Sequence, residues 1–162
     1  MFFDTSPAIT AANAVAHVVN NWNDGTLPTA QVLLSPVIDA STGNETIPAF
    51  YIVPAVRHQI RRADRAHLDH TVDVALVLID NAPTEAEAKL DLNLVYDATR
   101  CILATGRHEG VAFVSADVVE AYDYELLAET RIFRSQVNIA CKVFTTEVAT
   151  PANTTTTTGD TP

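Results

Sequence analysis

Apolar positions along the chain change their period several times, and each change marks an element. Behind Thr5-Ser6-Pro7, where a hydroxyl can cap free amides and proline suits the first helical position, Ile9, Ala12, Ala16 and Val19 recur at helical spacing. A helix is expected there, ending near Trp22 before Asp24-Gly25, with the indole closing it against a sheet. From Gln31 to Ile38 and from Ile47 to Val56 the residues are apolar, β-branched and aromatic, separated by Asp39 to Asn44; two strands joined by a turn are expected. Pro36, Pro48 and Pro54 cannot donate to a ladder, which puts these strands at an edge or at bulges.

Arg57 to Leu68 mixes Arg, His, Asp and Ala without a clean period and reads as a loop or irregular extension, pinned by Ile60 and Leu68. Thr71 to Ile79 then alternates, with Val72, Val74, Leu76 and Leu78 on one face and Asp73, Ala75 and Val77 on the other, as a central strand would. Pro83-Thr84-Glu85-Ala86-Glu87 opens a second helix, its acids complementing the macrodipole. Leu90, Leu94, Val95, Ala98, Cys101 and Ile102 form the apolar stripe of that helix, and Gly106 marks its stop. Val111 to Val114 reads as a short strand. From Thr130 to Phe144 the period is strictly two, setting Phe133, Val137, Ile139, Cys141 and Val143 against Arg134, Gln136, Asn138 and Lys142, so a long, half-exposed final strand is expected.

This order predicts one α/β (α+β) domain over residues 1–147: a mixed, largely antiparallel sheet covered by two main helices. Residues 148–162 are Thr-rich and hold no apolar side chain larger than alanine, so a flexible tail is expected. With 48% apolar and 19% charged residues the chain has material for a packed core and needs no staples. Cys101 and Cys141 lie in apolar periodic segments, where a reduced thiol serves as a small hydrophobe. No secretory leader or membrane-spanning run is evident, which points to synthesis in the cytoplasm.

Charge changes the picture more. The chain carries 20 acids against 10 bases, a formal charge of −10, which repels a phosphate backbone at long range and disfavours groove-reading DNA binding. Arg57, Arg61, Arg62 and Arg65 nonetheless concentrate positive charge in one short segment. Such a cluster suits an acidic surface of a partner subunit, or DNA phosphates, or is a solvated loop. Arg134 and Gln136, on the outer face of the last strand, and Arg131 at its start are further interface candidates.

Signatures of catalysis are missing: there is no Gly-rich phosphate loop, no nucleophile elbow, no zinc-spaced cysteine pair and no zincin motif. No catalytic residue, metal or cofactor is therefore expected. His58, His67, Asp69 and His70 are the one set close enough in sequence to hold a divalent metal, although their spacing fits no established pattern. Asp117, Glu120, Asp123, Glu125 and Glu129, interleaved with Tyr122 and Tyr124, read as a solvated acidic face.

Three stretches carry a resemblance. Phe50-Tyr51-Ile52-Val53-Pro54, then Val72-Asp73-Val74-Ala75-Leu76-Val77 before an acid-led helix, and the closing Glu129-Thr130-Arg131-Ile132-Phe133-Arg134-Ser135-Gln136-Val137-Asn138-Ile139 resemble the tail terminator and head–tail connector (neck) proteins of long-tailed bacteriophages. The resemblance covers roughly residues 1 to 145. It implies a non-enzymatic virion subunit that forms a homo-oligomeric ring, commonly a hexamer, with the tail tube protein and a head-side connector or adaptor protein as partners. DNA would pass through its lumen without specific binding, no membrane would be involved, and assembly would occur in the host cytoplasm. The Thr-rich extension and the arginine segment depart from the family, which leaves a head-completion or adaptor protein as an alternative. A small cytoplasmic metal- or ligand-binding enzyme using His67, Asp69 and His70 is a further one.

Overall fold

In the computed structural model residues 6–22, 25–34 and 48–146 are described. The expected turn at Asp39 to Asn44, Pro36 and the tail over 148–162 lie outside them. Helix α1 spans Pro7–Asn21, with the Ser6 hydroxyl accepting from the Ala8 amide at its cap and Pro7 in the first turn. Its buried side is made of Ala and Val alone, small residues that allow close approach to a sheet, and Trp22 packs against the same core at its end.

Strand β1, Ala30–Val32, pairs in parallel with β2, Ala49–Arg62, so the two expected strands lie side by side running the same way. β2 in turn pairs antiparallel with β3, His67–Asn81, along almost its whole length. This corrects the reading of Arg57 to Leu68 as an irregular loop: the arginines lie mostly on a continuous β-hairpin. Pro54 falls inside a register shift between Val53 and Arg57, where a missing donor costs the ladder nothing.

Helix α2, Glu85–Thr105, starts at Thr84, whose hydroxyl accepts from the Glu87 amide, and stops at Gly106, which sits at φ +72° and donates to the Ile102 carbonyl. Pro83 precedes the cap instead of entering the helix. The short β4, Arg107–His108, turns through Glu109 and Gly110, both at positive φ, into β5, Val111–Glu120. β5 is far longer than the expected Val111 to Val114. Within the acidic segment the chain forms a helix, α3, Tyr124–Thr130, capped by Asp123 at its start and by Arg131 in the left-handed region at its end. Finally β6, Ile132–Thr146, realises the expected long strand.

The six strands take the order β1-β2-β3-β6-β5-β4, all antiparallel except the first pair, in a single α+β domain. The main core lies between the helices and one face of the sheet: Phe50 and Ile52, Val72 through Leu78 at alternate positions, and Phe133, Val137, Ile139, Cys141 and Val143 are all buried there. Burying a side chain of this size is worth about 1.5–3 kcal/mol. On the opposite face Ala49, Tyr51, Ala75, Val77 and Ile79 form a second, smaller buried cluster. Cys101 and Cys141 are free and buried in the main core, and burial pushes their thiols up to about 11 and 12.

Candidate subunit interface

Strand alternation decides where the charged residues go. Beyond the bulge at Pro54, Arg57 stands opposite Asp73, Gln59 opposite Thr71 and Arg61 opposite Asp69, all on the face away from the helices. His58, Ile60 and Arg62 take the other face, and Arg65 lies in the turn. Every residue from Val56 to His67 is exposed. The hairpin is thus an arm: its strands continue past the core, with β6 alongside β3 as far as Thr146.

Its geometry is fixed locally. Asp64 accepts from the Ala66 amide at 2.7 Å and from the His67 ring at 2.8 Å, which shapes the tip and holds the Asp64 carboxyl below its usual value, the Ala66 bond contributing most. Lower down, His58 Nε2 meets His70 Nδ1 at 3.0 Å, and His70 Nε2 meets the Thr145 hydroxyl at 2.9 Å, tying the three strands together. Lys142 lies 3.9 Å from Asp69 on the outer face. Arg57, Arg61, Arg62 and Arg65 form no ion pair among the described residues.

The same alternation separates the metal candidates. His67 and Asp69 face outward while His70, 5% exposed, faces the helix side, so His67, Asp69 and His70 converge on no common point. Among the described residues no group of three His, Cys, Asp or Glu side chains is placed to hold a metal ion. Nor is any described helix long and apolar enough to cross a membrane.

The other interface candidates sit at the opposite end of the strands. Arg134, on β6, lies 3.9 Å from Glu120 on β5, and Gln136 donates to Asn138 at 3.2 Å. Arg131 lines a groove of about 480 Å³ between the start of α2 and α3, walled also by Tyr122, Tyr124 and Leu127. Tyr122 stacks on Phe133 with ring centroids 6.1 Å apart, whereas Tyr124 is 70% exposed. Beside this groove no described strand covers β5 from Val114 to Glu120, since β4 pairs only with Val111 and Ala112, and Val114, Val118 and Val119 are exposed along it. Five acids, Asp117, Glu120, Asp123, Glu125 and Glu129, belong to this strand and helix, with no base among them.

Asp91 was missed by the sequence reading. It is 2% exposed on the buried side of α2, and one of its carboxyl oxygens has no hydrogen-bond partner. Leu90, expected in the apolar stripe, is instead 61% exposed. Burial first, then a hydrogen bond with the Asp80 carboxyl and the nearby charges of Asp80 and Glu87, push the Asp91 carboxyl up to about 8. Only a registry slip of one position in the stripe separates Leu90 from Asp91, and a carboxylate in that place carries no sequence signal.

No family model and no curated protein matches the sequence. Among solved structures, a chain in the virion of a native gene transfer agent particle is similar at 16% identity and a TM-score of 0.42, over 87% of this chain and 100% of that one.

Proposed function

We propose that this chain is a non-enzymatic structural subunit of a phage-type particle, working as a homo-oligomeric ring, of six copies as the family resemblance implies, at the top of the tail. The observation that carries this reading is the arm. A hairpin that continues past the core with every side chain from Val56 to His67 exposed, and with four arginines that form no ion pair among the described residues, buries no apolar side chain and adds little to the stability of a lone monomer. It is built to meet another surface. The resemblance of residues 50–54, 72–77 and 129–139 to tail terminators supplies the place: between the tail tube protein and the head-side connector or adaptor. A charge of −10 suits a lumen through which DNA passes without being held.

Size measurement by light scattering, with electron images of the purified protein, tests the reading. Rings with a central opening, stable on dilution, are expected. A monomer at every concentration, absent from the particles made alongside it, would overturn it.

A further inference from the structure

The arm and the acidic groove lie on opposite edges of the sheet and at opposite ends of its strands. From the tip of the arm at His67 the 15 residues of β3, roughly 45 Å at the rise of a strand, lead to the groove, so the tip cannot fold back onto its own groove. Yet the two surfaces match. The arm offers four arginines with no ion pair among the described residues and the exposed apolar side chains of Val56 and Ile60, 47% and 58% accessible. The groove offers Tyr122, Tyr124 and Leu127, with Glu85 in its wall and Glu125 and Glu129 on α3, the helix that forms its other side. Arginine and tyrosine around an apolar centre, with charge at the rim, is the composition that protein interfaces favour.

From this we infer that the β2–β3 arm of one copy docks on the tyrosine-lined, acid-bordered groove between α2 and α3 of the next, a head-to-tail contact between identical chains. The inference rests on the ring reading and names its surfaces. A second copy is the occupant that the page favours, because the complementary charge is carried by this same chain, and because DNA would be drawn to the arm against a net charge of −10. Two different patches meeting, one per edge, is a heterologous contact, and such contacts close into rings when the rotation between copies allows it. Register between the backbones of arm and edge is not required: β5 carries register shifts at Phe113/Ser115 and Val118/Glu120, which blunt plain strand pairing and leave recognition to side chains. Arg131, the cation in the groove wall, would face the carboxylates around it and set the polarity of the seat.

The test uses two full-length variants. One carries Arg61→Glu, Arg62→Glu and Arg65→Glu; the other carries Glu125→Lys and Glu129→Lys. All five positions are exposed, so both should melt like the parent, and glutamine replaces the reversed residue in any variant that does not. Alone, each should lose assembly, with the subunit dissociation constant raised about 100-fold or more. Mixed in equal amounts they should assemble again in alternation, because the reversed arm of one then faces the reversed groove of the other while an unaltered arm still meets an unaltered groove. Assembly of either variant alone at wild-type strength, or no recovery on mixing, would overturn the contact. So would an arm variant that loses only affinity for double-stranded DNA. If the parent protein never assembles, the ring reading fails; if it assembles and the reversals change nothing, only this contact does.

Discussion

Asp91 sits on the α2 face that packs against the sheet, where neighbouring turns present Ala88, Val95 and Ala98. A carboxyl there, bonded to Asp80 and facing Glu87, keeps its proton in the folded chain to about pH 8, whereas in the unfolded chain it loses it near its ordinary value of 3.8. Below that value both states are protonated and the residue is neutral to stability. Between the two values the native state holds more protons than the unfolded one, so stability falls as pH rises, by at most about 1.4 kcal/mol per pH unit for this group. Asp91→Asn removes the titration. Its melting temperature should therefore gain on the parent's from pH 4 to pH 8 and hold the gap above that; parallel melting curves across the range would show that the carboxyl is ionised in the fold. Since one oxygen of Asp91 lacks a partner, the asparagine variant is expected to be no less stable than the parent at neutral pH.

At the scale of elements, β6 separates buried from half-exposed positions one residue at a time. Phe133 is fully buried against α2 and stacked by Tyr122, while Arg134 beside it reaches Glu120 at the surface. Phe133→Ala should cost about 3–5 kcal/mol, and Arg134→Ala should stay within roughly 0.5 kcal/mol. Denaturant melts of the two variants check this, and equal losses would mean that the strand's faces are misassigned. These faces were legible because Phe133, Val137, Ile139, Cys141 and Val143 alternate with polar residues, and a pattern of period two needs one buried face to write it. The helix ends were legible for a similar reason: Ser6, Thr84 and Gly106 each answer a specific unsatisfied backbone group. The arm left no such mark, since both of its faces meet solvent and its residues were free to be polar on either side. Helix α3 buries no residue at all, so its segment carries no apolar period that would set it apart from a solvated acidic face. The interface candidates Arg57 to Arg65 could be found from charge alone, but their separation from Arg131, Arg134 and Gln136 could not, because only the register of β2 on β3 puts the two groups at opposite ends.

For the whole molecule, stability and the proposed assembly draw on different parts of the same sheet. The core that holds the fold runs from Phe50, Val74 and Leu76 across to Ile139, under α1 and α2, while the arm beyond His70 adds ladder bonds but no buried apolar side chain. Shortening the arm is therefore a cleaner separation of the two than any point substitution. Replacing Arg61 to Asp69 by Asn-Gly, a pair suited to a two-residue hairpin, would close β2 onto β3 at the Ile60 and His70 pair and keep the His58, His70 and Thr145 bonds. The shortened chain should melt within a few degrees of the parent, about what the loss of exposed ladder bonds costs in a domain of this size. It should stay monomeric under conditions in which the parent, on the proposed reading, assembles into rings. Light scattering and melting curves on the same samples read both quantities; a shortened chain that still forms rings would show that the arm is dispensable for the contact between copies, and one that unfolds would show that the sheet depends on it.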